Sequence, residues 1–256
     1  MPHRLPSHGA SLGFIFGPQA MNFDSNTFTT LRAKLVKDRH SQWAIDAIAA
    51  LPAEWSAVSG NVAIFKQYDA GKALQNLNEW LKTGHVPPAD IPFCNVLLAP
   101  MVVIDHLISY LEFLQSAFPD LDDDEELPAS AKESLETLGL SLGTLSAFAV
   151  STSSTLSEVK KHGATAIRLA MLVGAVGDAE DLARGPEEGA LSFSAFWKST
   201  ELHDLLHTSL DAIPEAYISV AVDEKRSTIT TSRSKASSHM QDLRSSGLYI
   251  AEVSIR

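Results

Sequence analysis

Gly139-Leu140-Ser141-Leu142-Gly143 is a G-x-S-x-G pentapeptide, and of all the residue groupings in this chain it is the one best suited to covalent chemistry. Small residues on both sides of a serine let the backbone turn sharply from a strand into a helix. The hydroxyl then stands exposed at the turn, beside the helix N-terminus, where it can attack an acyl carbon. The five residues are common ones, and a Gly/Ser-rich loop or a close-packed helix start would show the same pattern.

The flanking sequence supplies what an elbow requires. Ala131 to Leu138 runs from a polar stretch into a short apolar segment, and Thr144 to Val150 is small and apolar, as a helix buried behind the turn should be. A loop is expected at Ser151 to Thr155. A second helix follows over about Leu156 to Leu182, with Val159, Ala166, Leu169, Ala170 and Val173 at roughly helical spacing.

Several further elements are legible. Leu12 to Phe16 reads as a buried strand ended by Gly17-Pro18. Thr27 to Leu51 and Ala70 to Lys82 read as helices, and Phe93 to Phe118 as a long buried helix containing Pro100. A helical stretch is expected around Phe193 to Leu210. Ala216 to Val222, Ser227 to Thr231 and Leu248 to Ser254 read as strands, with a helix over Ala236 to Leu243 between the last two. The acidic run Asp122 to Glu126, bounded by Pro119 and Pro128, lacks the spacing and glycine of a calcium loop and reads as a solvated linker.

Bulk properties narrow the function. The chain has 256 residues, of which 45% are hydrophobic, enough for a sizeable core. A net charge of −11 argues against nucleic-acid and anionic-membrane partners, which call for basic patches. Cys94 is the single cysteine, so no internal disulfide forms; it reads as a buried small hydrophobe. Met1 to His8 is polar and broken by proline, without the apolar core of a signal peptide. Phe93 to Leu107 holds Pro100 and Asp105 and is too short to span a bilayer. A soluble, cytoplasmic protein is expected.

Four segments, in order, carry a family likeness: Phe16-Gly17-Pro18-Gln19; the pentapeptide around Ser141; Ile167-Arg168-Leu169-Ala170 followed by Gly174; and the hairpin Ala216 to Val220 with Ser227 to Thr230. With them the chain resembles the starter-unit acyltransferase domain of fungal non-reducing polyketide synthases. More distantly it resembles malonyl-CoA:acyl-carrier-protein transacylases. The likeness implies an α/β fold, with an α/β-hydrolase-like large lobe over residues 10–212 and a small ferredoxin-like lobe over residues 213–256.

The same likeness implies a mechanism. Ser141 takes an acyl group from an acyl-CoA or carrier-protein thioester and passes it to the phosphopantetheine thiol of an acyl carrier protein, part of a polyketide synthase in cis or in trans. Gln19 and the Leu142 N–H would line the oxyanion pocket. Arg168 is either a clamp for a substrate carboxylate or a structural residue. Neither a bound cofactor nor a metal is implied.

Two departures stand out. The family usually carries cysteine where this chain has Ser141, and its catalytic histidine follows the last small-lobe strand, about where the sequence reaches Arg256. The likeness therefore also allows a fragment, or a catalytically impaired remnant or docking module lacking its base. An unrelated G-x-S-x-G esterase is disfavoured by the mostly helical stretch before the elbow. The general base is left unassigned. His239 is one candidate; His106 and His162 read as helix-surface or core residues. His203 and His207 share a helix face, but Asp204 replaces the glutamate that a metalloprotease helix would need.

Overall fold

The computed structural model describes residues 12–18, 25–37, 39–85, 94–128, 135–184, 190–213 and 215–252. The chain divides into two compact units, Met1–Asp178 and Ala179–Arg256. The division falls well before residue 213, because a strand upstream of that position lies inside the second unit's sheet.

In the first unit, β1 (Leu12–Phe16) pairs in parallel with β2 (Leu135–Gly139), in register from Leu12↔Leu135 to Phe16↔Gly139. Between them, among the described residues, run four α-helices: α1 (Ser25–Lys37), α2 (Gln42–Ser59), α3 (Gly71–Thr83) and α4 (Asn95–Ala117). Strand alternation places Phe14 and Phe16 on one face, where Phe14 packs edge-on against Tyr110 and Phe113 of α4, with ring centroids 5.0 and 4.9 Å away. Ile15 points the opposite way and is exposed.

The single helix expected over Thr27 to Leu51 is two helices joined by a 3-10 turn at Arg39–Ser41. Leu35 and Ala44, on either side of the turn, are both fully buried, so the apolar pattern runs on through a change of axis that periodicity does not register.

α4 runs through Pro100 for 23 residues and is mostly buried. It is long and apolar enough to cross a membrane, so the sequence argument from shortness does not hold; 72% of its most apolar window is nevertheless covered by the rest of the protein. Its N-terminus is capped from a distance. Asp178 lies on α6 (Leu156–Arg184), which follows α5 (Gly143–Ser151). One Asp178 carboxylate oxygen accepts hydrogen bonds from the Asn95 N–H and side-chain amide, and the other from the Val96 N–H and the Tyr68 hydroxyl, all at 2.9 Å. The groups satisfied are those a helix start leaves without intrahelical acceptors. Cys94 sits just before this helix and is half-buried; desolvation first, and then the Asp178 charge, push its thiol up to about 11, so it stays a protonated thiol at neutral pH.

Asp178→Ala is expected to destabilise the first unit by about 2–3 kcal/mol, because it strands donors that water reaches poorly. Urea denaturation checks this, and a loss below half of the smaller figure would remove the cap's assigned role.

α6 crosses the start of α4 closely. A Cβ on Gly174 would lie 2.1 Å from the Asn95 carbonyl oxygen, a backbone contact that only glycine permits. The acidic segment is not a free linker. Asp123 pairs with Lys160 and its carbonyl accepts the Ser157 N–H, while Leu127 N–H donates to the Ser154 carbonyl. Within the run of carboxylates, Asp123 fastens the loop to the first turns of α6, and Glu126 forms a backbone bridge with Thr155.

The second unit has the order β3 (Ala190–Phe196), α7 (Thr200–Asp211), β4 (Tyr217–Asp223), β5 (Arg226–Ser232), α8 (Arg233–Ser245), β6 (Tyr249–Glu252). Its antiparallel sheet is ordered β4-β5-β3-β6. Residues 193–196 are strand, not helix. Ala190-Leu-Ser-Phe-Ser-Ala-Phe196 alternates apolar and small polar residues, and this period of two decides the matter. Phe193, Ala195 and Ile229 face the core with Leu206 and Leu210 of α7 and Ala236, Met240 and Leu243 of α8. The opposite face is mixed: the Ser192 and Thr230 hydroxyls hydrogen-bond across β3 and β5 at 2.7 Å, and Phe196 packs against Tyr249 with ring centroids 5.5 Å apart.

Candidate active site

The chain turns from β2 into α5 through residues 139–143. The Phe16 carbonyl accepts the Leu140 N–H at 3.0 Å, tying the end of β1 to the turn. Three tight bonds of 3.0 Å wind it: Gly143 N–H to the Leu140 carbonyl, Thr144 N–H to that of Ser141, and Leu145 N–H to that of Leu142.

Ser141 has φ 56°, and it is the only non-glycine with positive φ among the described residues. A side chain in this left-handed region costs about 1–2 kcal/mol, a strain that accumulates at functional positions. The two glycines are sterically required. A Cβ on Gly143 would meet the Phe16 carbonyl oxygen at 2.0 Å, and one on Gly139 would meet the Thr144 Cα at 2.4 Å. The pentapeptide thus turns because its outer residues lack side chains that would collide. Its middle residue is lifted into solvent, where Ser141 is exposed while Leu142 is buried.

The Leu142 N–H precedes the helix and, among the described residues, has no hydrogen-bond acceptor. Gln19 lies outside the described residues. Leu140 and Phe148 are 55% and 64% exposed and give the elbow region an apolar rim.

α5 is held from behind. Ser146, one turn beyond the elbow and fully buried, has its hydroxyl 3.2 Å from His106 Nδ1 on α4. The His106 ring also lies 5.5 Å from that of Phe16. Burial, opposed by the nearby Asp105 charge, lowers the His106 pKa below its usual 6.5. This pair was missed in the sequence, although the signal was present: a serine within a small apolar helix and a histidine within a long apolar one are buried polar groups that must find partners.

The unfolded chain takes up a proton at His106 near pH 6.5, whereas the folded chain resists it. Stability supplied by this residue is therefore complete above that pH and falls as the pH drops below it. In urea titrations His106→Gln is expected to flatten the loss of stability below that pH. An unchanged slope would show that His106 is not the titrating group.

The remaining candidates are placed as follows. Arg168 on α6 has its Nε 3.3 Å from a Glu54 carboxylate oxygen on α2, both side chains being nearly half exposed. A pair this accessible contributes at most about 1 kcal/mol. His162 Nδ1 is 2.9 Å from the Ser153 hydroxyl, in a helix-end role. In the second unit His239 is buried against the Thr231 hydroxyl at 3.0 Å, and desolvation, then Lys235, lowers its pKa. Among the described residues no group of three or more His, Cys, Asp or Glu side chains is arranged to hold a metal.

The profile described as "Starter unit:ACP transacylase in aflatoxin biosynthesis" (SAT) matches residues 46–231. The non-reducing polyketide synthase AC of Didymella fabae is 98% identical over all 256 residues, which make up 10% of that protein. The citrinin polyketide synthase of Monascus ruber is 42% identical over 96% of the chain and 9% of its own length. The chain thus spans about a tenth of the length of the curated relatives it matches.

Among solved structures, the malonyl CoA-acyl carrier protein transacylase of Coxiella burnetii superposes with a TM-score of 0.52 at 11% identity, over 96% of this chain and 62% of that one. The acyltransferase domain from the second module of the salinomycin polyketide synthase gives 0.51 at 14% identity, over 98% and 46%. These identities speak for the fold alone, a mixed α/β fold of acyltransferase type. The profile match over most of the sequence and the high identity to fungal synthases settle the affiliation: the chain belongs to the starter unit:ACP transacylase (SAT) family of fungal non-reducing polyketide synthases.

Proposed function

We propose that the chain transfers an acyl starter group by way of an ester on Ser141. The observation that carries this reading is the left-handed backbone of Ser141 at a strand-to-helix turn whose two glycines cannot be replaced without a collision. The hydroxyl attacks a thioester carbonyl, and the departing thiolate is CoA or a carrier-protein phosphopantetheine. The acyl ester is then taken by the phosphopantetheine thiol of an acyl carrier protein, which regenerates the serine. The Leu142 N–H and the Gln19 side chain stabilise the oxyanion. The substrate supplies its own thioester, so no bound cofactor or metal enters the reaction. The partner is an acyl carrier protein of a polyketide synthase, and the setting is cytoplasmic.

In this reading the first unit is an α/β-hydrolase-like lobe, and the second, with its βαββαβ connectivity, a ferredoxin-like one. Arg168 is a structural residue held by Glu54, in keeping with an uncharged starter group and with the apolar rim of Leu140 and Phe148. An impaired or docking role is the second reading. It is favoured by one fact: among the described residues of the first unit, no side chain hydrogen-bonds to the Ser141 hydroxyl.

The test is to incubate the chain with acyl-CoA thioesters of several lengths and a phosphopantetheinylated carrier protein, and to follow both masses. Acyl-protein followed by acyl-carrier supports transfer. Acyl-protein that neither turns over nor passes its group on supports the impaired reading. Hydrolysis of the thioester without any acyl-carrier product would overturn the transfer proposal.

A further inference from the structure

The exposed histidine pair on α7 plays no part in the transfer chemistry. His203 and His207 are one helical turn apart, with ring centroids 4.5 Å apart and Nε2 atoms 3.2 Å apart. Two imidazole nitrogens bound to one late transition-metal ion, each about 2.0–2.1 Å from it in adjacent positions, are separated by roughly 2.9–3.4 Å. The observed Nε2–Nε2 spacing of 3.2 Å falls within that range.

A second observation points the same way. His203 Nδ1 lies 3.3 Å from the Asp204 carboxylate. A ligating histidine commonly donates its other ring N–H to a carboxylate, which fixes the tautomer and leaves Nε2 with a free lone pair. The His203 ring is further packed against Trp197 at 5.2 Å.

We infer that His203 and His207 form a two-imidazole chelate for a divalent late transition-metal ion, Cu²⁺ in preference to Ni²⁺ or Zn²⁺, with water in the remaining positions. In the unloaded pair, the His207 Nε2–H donates to His203 Nε2. On loading, the His207 Nε2 proton passes to solvent or to its own Nδ1, which frees Nε2 to ligate the ion. The order of preference follows the general affinity of nitrogen sites across the first-row divalent ions. Glutamate is absent from the position after His203, so the pair does not carry the general base of a hydrolytic zinc helix; the site is one of binding.

Trp197 supplies the readout. Titrating the 256-residue chain with Cu²⁺ is expected to quench part of the tryptophan fluorescence saturably at one equivalent. His207→Ala and His203→Ala are each expected to weaken the titration at least about tenfold, and Asp204→Asn about tenfold through loss of the orienting carboxylate. These are exposed or half-exposed positions, and thermal unfolding of each variant confirms that the unit remains folded. Equal quenching in the wild-type chain and in both histidine variants would overturn the proposal, as would tighter binding of Zn²⁺ than of Cu²⁺ in competition.

Discussion

Ser141→Ala is expected to remove the acyl adduct from the intact mass and to lower carrier acylation on the order of 10⁶-fold, the scale seen when a serine enzyme loses its nucleophile. The expectation rests on geometry rather than on the motif alone. The serine is held at φ 56°, with its hydroxyl in solvent and the Leu142 N–H beside it. No other serine shares that arrangement among the described residues; Ser146 is fully buried against His106.

Two companion variants sharpen the result. Ser141→Cys should still acylate, because a thiol is the better nucleophile and depends less on a neighbouring base. Ser141→Gly should be more stable than Ser141→Ala by about 1 kcal/mol, since glycine alone is at ease in the left-handed region. An acyl adduct that survives in Ser141→Ala would show that the group resides elsewhere, and the proposed mechanism would fail with it.

Gly143→Ala has the second-largest expected effect. The new methyl carbon would sit 2.0 Å from the Phe16 carbonyl oxygen and 2.6 Å from that of Gly17. Neither obstacle is a side-chain tip that could swing aside. Both belong to the backbone at the end of β1, and the Phe16 carbonyl already holds the Leu140 N–H. The turn must move outward by roughly 1 Å, and a displacement of that size costs on the order of 10²-fold in rate. Stability should fall by about 3 kcal/mol, the upper range for overpacking. Initial rates and urea midpoints measure the two losses. A Gly143→Ala protein with ordinary acylation would show that the tight turn is not what positions Ser141.

Much of this architecture was legible beforehand, for identifiable reasons. The elbow announced itself because sterics leave little choice of residue at positions 139 and 143. The hairpin of β4 and β5 announced itself through alternation and a polar turn. The start of the second unit did not. β3 was hidden because Ser192 and Ser194 lower its apolarity, so the helical pattern of its neighbour α7 reads on over it. The break between α1 and α2 was hidden because burial continues across it. Asp178 and the His106–Ser146 pair were invisible for a different reason: each joins residues far apart in sequence, and spacing carries no information about partners brought together only by folding.

The ribbon beneath the elbow has a consequence for motion. α4 is buried along most of its length, so its amides are released to solvent only by near-global unfolding. β1 and β2 are different: they form a two-stranded sheet covered on one face, with Ile15 and its register partner Leu138 exposed at 76% and 63% on the other. Their ladder can open without disturbing the helices. Amide deuterium uptake should therefore run fastest along the two strands that carry Ser141 and slowest a few ångströms behind them, in the helix that bears His106. Ser141 would then rest on a ribbon that opens more readily than the helix behind it, and a ligand or neighbouring surface that quietens this ribbon would tune that serine without touching it.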